Sequence, residues 1–358
     1  MKGKSGLVLK ALLVLCYCPL AAEVMLRIMD PVPMLPRYVK AMPYGVRGNE
    51  PNRSYWHRTA EYKVYIRTNA KGIRCDKDIP YEKPPGVKRI ILLGDSFGMG
   101  YGVSYEQMFI SRMVHYLEKE HGIKAEVVNL STSGHGNSEE LVTLENEGLK
   151  YDPDMVLLAW HPTDVDDNVR SNLYELADGK LKGKASTYLP GVKTRELLFS
   201  YTAYRLMAEN SQLYNLLRDW AGRNIKAWLA SFRSIRRTKQ MYTENKAPED
   251  YSPKLTIALL EEIKHKCEQV NASLLILDIP RRYGRTDFRS LFPAGFIGEG
   301  NELDIVSPIS KFAEAGGRKI YWERSQGHFT PLGCDMVGQL LANHIASQNL
   351  LKTPDRSK

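Results

Sequence analysis

A serine follows an apolar run in residues 89–102, "RIILLGDSFGMGYG". Ser96 stands next to Asp95 and among glycines, which let other backbone groups approach closely. Serine is a poor nucleophile until a base removes its proton and N–H donors stabilise the oxyanion that forms on attack. Asp and Ser are also preferred turn and cap residues, so the triplet alone fits either a nucleophile or a turn.

Polar residues and a glycine follow the later apolar runs as well. Gly134 lies in "NLSTSGHGN", Thr163 and Asp164 lie in "AWHPTDVDDN", and His328 lies in "SQGHFTPLG". A histidine directly before the last helix, in a chain whose first strand ends at a serine, is a candidate general base. These positions predict a site in which Ser96 and His328 meet.

The elements that must position these residues alternate between aliphatic strands and helices. Strands are predicted at 90–93, 125–130, 153–160, 272–280 and 318–322, and a final helix follows Pro331. This pattern predicts an α/β fold, a three-layer α/β/α sandwich with a mainly parallel five-stranded sheet of flavodoxin-like type. The carboxyl ends of such strands share one edge, where ligand chemistry gathers.

Two segments fall outside this alternation. Residues 31–87 are rich in Pro, Arg and Tyr and are predicted to be an extended lead-in that packs on the main domain, residues 88–348. Over a hundred residues separate the third and fourth apolar runs, so about 170–250 is predicted to be a helical insertion. Its basic and aromatic stretch 218–239 fits either a helix on anionic lipid or a helix docked on the domain. Residues 349–358 form a polar tail.

The composition sets the class of protein. The 358 residues are 43% hydrophobic and 25% charged, as in a globular protein with a full core. The formal net charge of +9 is spread along the chain and no nucleic-acid motif accompanies it, so nucleic acid is not predicted as a partner.

The N-terminus carries a targeting pattern in residues 1–30. Lys2, Lys4 and Lys10 precede the uncharged run 11–22, which predicts a signal peptide or an N-terminal membrane anchor. The basic end would stay cytoplasmic and the rest would be exported. The expected location is the bacterial cell envelope, with the chain anchored in the inner membrane and facing the periplasm or exterior, or secreted. A buried helix of a cytosolic protein is the alternative.

The order of these residues resembles the SGNH/GDSL hydrolase family, especially its membrane-anchored or secreted bacterial members. The resemblance covers residues 66–168 and 272–348 and includes "TNAKGIR" before the first strand and "YDPDMVLLAW" before Thr163. It implies that Ser96 is the nucleophile and contributes its amide to the oxyanion hole. It further implies that Gly134 donates its amide to that hole and that His328 is the base.

Two positions depart from the family pattern. Thr163 stands where the family carries an asparagine that donates to the oxyanion, so Thr163 is the third candidate donor. Ser325 and Gln326 stand where the family carries the aspartate that orients the histidine. Candidate replacements for that orienting group are Asp95, Asp164, Gln326 and Glu323, with Asp304 and Asp278 as further carboxylates.

The resulting prediction is an exported serine esterase or deacylase that cleaves an O-acyl ester of an envelope carbohydrate or lipid. An O-acyltransferase acting on a polysaccharide would use the same serine and histidine. The two replaced positions also fit a non-catalytic protein that binds a glycan or assembles with envelope partners. No metal ion or organic cofactor is implied by any of the three.

Overall fold

The structure is a computed structural model that describes residues 2–29, 32–222, 224–225, 249–325 and 327–351. The chain divides into two compact units. The unit that we call the sheet unit comprises Tyr38–Ser54, Val64–Glu196 and Pro248–Lys358. The N-terminal unit comprises Met1–Arg37, Tyr55–Lys63 and Leu197–Ala247.

A five-stranded parallel sheet forms the centre of the sheet unit. Its strands are β1 (Lys88–Gly94), β2 (Ala125–Asn129), β3 (Met155–Trp160), β4 (Ser273–Asp278) and β5 (Ile305–Val306). They lie in the order β5-β4-β3-β1-β2, and every neighbouring pair is parallel. The predicted α/β fold with a parallel five-stranded sheet is confirmed.

The aliphatic residues of β1 explain why this strand lies in the middle of the molecule. Ile90 and Leu92 belong to the core on one face of the sheet, and Ile91 and Leu93 belong to the core on the other. All four side chains are at most 1% exposed. Helices therefore cover both faces, as burial of a parallel sheet requires.

Among the described residues, six helices form the outer layers of the sheet unit. They are α1 (Phe109–His121), α2 (Asn137–Asn146), α3 (Asp164–Ser171), α4 (Tyr251–Gln269), α5 (Ile309–Glu314) and α6 (Pro331–Ser347). Helices α1 and α6 pack on the face that contains Ile90, while α2 and α4 pack on the face that contains Ile91. Thr330 caps α6 by accepting from the Gly333 amide, and Pro331 opens the helix as predicted.

The predicted fifth strand, 318–322, is wrong, because the fifth strand of the sheet is Ile305–Val306. The apolar residues of 318–322 serve a different purpose. Tyr321 packs with Phe288, Phe312 and Phe329, and it forms only an isolated bridge with Phe329. The consecutive apolar residues 320–322 therefore reflect an aromatic cluster next to α6 and not a strand of the sheet.

The lead-in and the insertion both contain short strands. In the lead-in, Val39–Ala41 pairs with Arg47–Asn49, and strands at Ser54–Arg58 and Lys63–Arg67 follow. The insertion begins with a hairpin of Tyr174–Ala177 and Lys180–Gly183 and continues with helices Val192–Ser200 and Thr202–Asn210. Much of the predicted basic stretch, from residue 226 to 239, lies outside the described residues.

The N-terminal unit contains the helix Lys2–Met29. Its Glu23 accepts from the amides of Gln212 and Leu213 at 3.0 and 2.9 Å and from the Ser211 hydroxyl. These bonds lower the pKa of Glu23 to about 2, against the opposing effect of burial. Among the described residues, no helix has both the length and the apolar character that a bilayer span requires.

Gly338 of α6 allows a close approach of α6 to α1, which a methyl group would prevent. A Cβ at this position would lie 2.5 Å from Arg112 Cβ and 2.8 Å from the Phe109 carbonyl oxygen. We expect Gly338→Ala to lower the free energy of unfolding by about 1–3 kcal/mol, because overpacking outweighs the higher helix propensity of alanine. Urea unfolding of the full-length protein measures the change.

Gly222 supplies the matched control for this substitution. It is helical, and a Cβ there would meet no atom of the described residues within 4 Å. Gly222→Ala should therefore be neutral or stabilising by up to about 1 kcal/mol. Equal stability changes at the two positions would contradict the close-packing explanation.

Candidate active site

Ser96 lies in a tight turn directly after β1. The Asp95 carboxylate accepts from the Phe97 amide at 2.8 Å, and the Asp95 carbonyl accepts from the Met99 amide at 3.0 Å. Gly98 must be a glycine in this turn, because a Cβ there would lie 2.1 Å from Ser131 Oγ in the loop after β2. The turn therefore packs against the second loop and leaves Ser96 half-buried at the edge of the sheet.

His328 reaches Ser96 from the loop that precedes α6. Its Nε2 lies 2.8 Å from Ser96 Oγ, and the histidine is only 5% exposed. The rings of Phe97 and Tyr101 lie 4.9 and 5.6 Å from the imidazole, measured between ring centroids. The structure thus brings together the two residues that the sequence singles out, with the hydroxyl and the ring nitrogen at hydrogen-bond distance.

Two backbone amides near this pair are open. The N–H groups of Ser96 and Gly134 donate no hydrogen bond to any residue that the structure describes. Gly134 has a φ of 78°, a left-handed conformation that favours glycine. The Thr132 amide donates to the Gly94 carbonyl at 3.0 Å, so the loop that carries Gly134 runs beside the turn that carries Ser96.

Thr163, the third candidate donor, is exposed and lies at the start of α3. Its hydroxyl lies 2.8 Å from Nδ1 of His161. Burial lowers the pKa of His161 to about 4, so its ring is neutral at pH 7. The His161 ring stacks on Phe97 with centroids 5.0 Å apart, which places a histidine that the sequence interpretation left unused beside the residue following Ser96.

Asp164 and Glu140 form a buried acidic pair behind the site. Asn137 Nδ2 lies 2.9 Å from Glu140 Oε2 and 3.4 Å from Asp164 Oδ2. The Asp164 carboxylate also accepts from the His161 amide at 3.1 Å. Burial raises the pKa of both carboxyl groups; the Glu140 charge further raises that of Asp164, and the Asp95 charge raises both.

The other candidate orienting groups have partners of their own. Glu323 lies 3.4 Å from Arg285, and Asp304 lies 2.9 Å from His344 Nε2. Burial raises the pKa of Asp278. Gln326 lies outside the described residues.

Three lead-in residues hold the two loops of the site, and sequence interpretation assigned them no role. Arg74 is 1% exposed and donates to the carbonyls of Met99, Gly100 and Val103 in the loop after Ser96. Asn49 donates to the Ser131 carbonyl at 3.0 Å, and Arg47 donates to the Gly134 carbonyl. The motif "TNAKGIR" ends at Arg74 and could have pointed to a role for that residue. Arg47 and Asn49 lie in no recognisable motif.

A cavity of about 550 Å³ lies along the lead-in and the outer side of α2. Arg47, Tyr44 and Lys71 are among its lining residues, and neither Ser96 nor His328 is. The Lys71 ammonium lies 3.2 Å from the centroid of the Tyr81 ring, and burial lowers the pKa of Lys71. Arg47 therefore lines this cavity and also contacts the loop that carries Gly134.

No family model matches the sequence, and no curated protein matches it. A two-domain esterase active on acetylated mannans is 11% identical, with 75% of this chain and 51% of that chain covered and a TM-score of 0.38. The chain thus spans about half the length of that esterase. A lipase/acylhydrolase from Enterococcus faecalis is 13% identical (73% and 96% covered, TM-score 0.38). An acetyl xylan esterase is 12% identical (72% and 99% covered, TM-score 0.39). At these TM-scores, the likeness assigns neither a family nor an activity to this chain.

The buried carboxyl of Glu140 makes stability depend on pH. Because its pKa is raised in the folded protein, the folded state keeps a proton that the unfolded chain releases above about pH 4.5. The free energy of unfolding therefore falls as the pH rises above that value, by about 1.4 kcal/mol per pH unit, until the folded carboxyl also ionises. Glu140→Gln keeps an acceptor oxygen for Asn137 and removes this titration. We therefore expect the variant to gain stability relative to the wild type steadily as the pH rises from 4.5 to 7.5, by up to about 4 kcal/mol over the whole range.

Urea unfolding at several pH values measures this difference. Glu118→Gln, at an exposed position of α1, is the control and should follow the wild type at every pH. A stability difference between Glu140→Gln and the wild type that stays constant over this range would show that Glu140 is already ionised in the folded protein.

Proposed function

We propose that this protein is a serine hydrolase of the esterase type, with Ser96 as nucleophile and His328 as general base. The observation that carries the proposal is the 2.8 Å approach of His328 Nε2 to Ser96 Oγ. The two segments are 232 residues apart in sequence. The N–H groups of Ser96 and Gly134, which donate to no residue that the structure describes, lie in the adjoining loops and are the donors of the proposed oxyanion hole.

In the first half of the reaction, Ser96 Oγ attacks the acyl carbonyl carbon while His328 Nε2 takes the hydroxyl proton. The carbonyl electron pair moves to oxygen, and the N–H groups of Ser96 and Gly134 stabilise this oxyanion. The bond to the leaving alcohol then breaks, and its oxygen takes the proton from His328. The acyl group is left on Ser96 as an ester.

In the second half, water attacks the acyl-serine and His328 takes its proton. The collapse of the second oxyanion releases a carboxylic acid and returns the proton to Ser96 Oγ. A sugar hydroxyl in place of water would give an O-acyltransferase with unchanged protein chemistry. We propose hydrolysis of an O-acyl ester on an envelope carbohydrate or lipid, with export directed by residues 1–30.

A fluorophosphonate probe tests this proposal on the full-length protein. The probe phosphonylates an activated serine, so we expect the wild type to be labelled at one site per chain. Ser96→Ala should abolish labelling, because it removes the attacking oxygen. His328→Ala should slow labelling at least 100-fold, because general-base catalysis typically contributes that much. Intact-mass spectrometry gives the stoichiometry and the rate.

Ser111→Ala and His121→Ala are the matched controls. Ser111 Oγ donates to the Tyr105 carbonyl, and His121 pairs with Asn343, both in α1 and away from the two loops of the site. Both controls should label at the wild-type rate. A folded wild-type protein that takes up no probe would reject the esterase proposal and favour the non-catalytic alternative.

Thr163 can be tested in the same assay. Its hydroxyl lies against His161 Nδ1, so we expect Thr163→Val to slow labelling less than tenfold. Loss of a true oxyanion donor costs about 100- to 1,000-fold. A loss in that range would show that the hydroxyl leaves His161 and completes the oxyanion hole.

A further inference from the structure

Arg47 connects the lead-in to the loop that carries Gly134. Its Nη2 donates to the Gly134 carbonyl, and its Nε lies 3.4 Å from Glu139 Oε1. Its own carbonyl oxygen lies 2.8 Å from His135 Nε2. The side chain is 12% exposed, so one largely buried residue contacts Gly134 and His135 of this loop and Glu139 in the first turn of α2.

The positive charge of Arg47 is only partly compensated. Burial raises the pKa of Glu139 to about 7, against the opposing effect of Arg47. Burial, followed by the Arg47 charge, lowers the pKa of His135 to about 3, so that ring is neutral at pH 7. The other titratable groups around this cluster are Asp167, Arg170 and Tyr188.

The Gly134 peptide needs an external contact to fix its direction. Glycine in a left-handed conformation has the widest choice of alternatives, and no side chain restrains it. A Cβ on Gly134 would lie 3.1 Å from Arg47 Nη2, so the guanidinium occupies the space directly beside this residue. The Gly134 carbonyl accepts from Arg47, while the Gly134 N–H donates to no residue that the structure describes.

We propose that Arg47 is a positioning residue for the oxyanion hole: its guanidinium fixes the Gly134 backbone so that the N–H faces the acyl oxygen, and its charge favours the oxyanion. This inference rests on the proposed esterase function. Arg47 touches neither Ser96 nor the reacting atoms, and it acts through Gly134. An interaction that strengthens as the oxyanion forms raises kcat and leaves KM nearly unchanged.

Arg47→Ala tests this role with 4-methylumbelliferyl acetate as the ester. We expect kcat to fall about 10- to 100-fold, somewhat less than the loss of a direct donor, with KM within threefold of the wild type. Because Arg47 lines the 550 Å³ cavity, its removal opens space that a small cation can enter. Guanidinium chloride at 50 mM should therefore raise the kcat of Arg47→Ala at least threefold. Sodium chloride at equal ionic strength should not raise it.

Arg53→Ala is the matched control on the same lead-in. Arg53 pairs with Glu50 and lies over the Tyr38 ring, away from the Gly134 loop. It should retain wild-type kcat and show no response to guanidinium. Unchanged kcat in a folded Arg47→Ala protein, or a loss that appears only in KM, would overturn the proposed role of Arg47.

Fluorophosphonate labelling of the wild type separates the two proposals. If Ser96-dependent labelling occurs and Arg47→Ala behaves as the wild type, only the role of Arg47 fails. If the wild type neither labels nor hydrolyses ester, both proposals fail. If Arg47→Ala does not fold, Arg47→Lys is tested in its place. Lysine keeps the positive charge and most of the aliphatic chain but lacks the planar guanidinium with its several N–H donors. A loss of three- to tenfold in kcat is then expected, and wild-type kcat at an unchanged melting temperature would overturn the inference.

Discussion

The site depends on buried carbonyl oxygens that find donors outside the α/β core. The turns after β1 and β2 leave the sheet ladder, so their carbonyls need other partners, and an unpaired buried carbonyl costs about 1–3 kcal/mol. Arg74, Asn49 and Arg47 provide these donors from the lead-in. The arrangement around Ser96 is thus held by a segment that contributes no strand to the central sheet and no reacting atom.

The position of His328 follows from packing as well as from its hydrogen bond to Ser96. Aromatic rings of Phe97 and Tyr101 flank the imidazole, and the His328 carbonyl accepts from the Trp322 amide at 2.8 Å. The Asp164 carboxylate, which is next to the third candidate donor, is turned inward toward Glu140 and Asn137. The Asn137 side chain lies at hydrogen-bond distance from an oxygen of each carboxyl group, and this shared donor holds the two acids side by side.

The parts of the fold that sequence predicted are those set by hydrophobic periodicity. Strands β1 to β4 are built around aliphatic residues, and their shared carboxyl edge follows from parallel pairing. The fifth strand was missed because Ile305–Val306 is only two residues long, too short for any periodic signal. Arg47 and Arg74 were not predicted as buried donors, because an arginine in a polar segment gives no sign of burial until its acceptors are known.

The chemistry of the lead-in donors explains why two amides stay open. Arginine and asparagine side-chain N–H groups donate, so they bond the carbonyls of the two loops and leave backbone N–H groups unbonded. A loop held by acceptors, such as carboxylates, would have its amides occupied by the protein itself. Asp95 shows this contrast, since its carboxylate occupies the amide of Phe97 while the amide of Ser96 beside it remains open. Loops held by donated hydrogen bonds therefore leave these two amides unbonded among the described residues, as the proposed oxyanion hole requires.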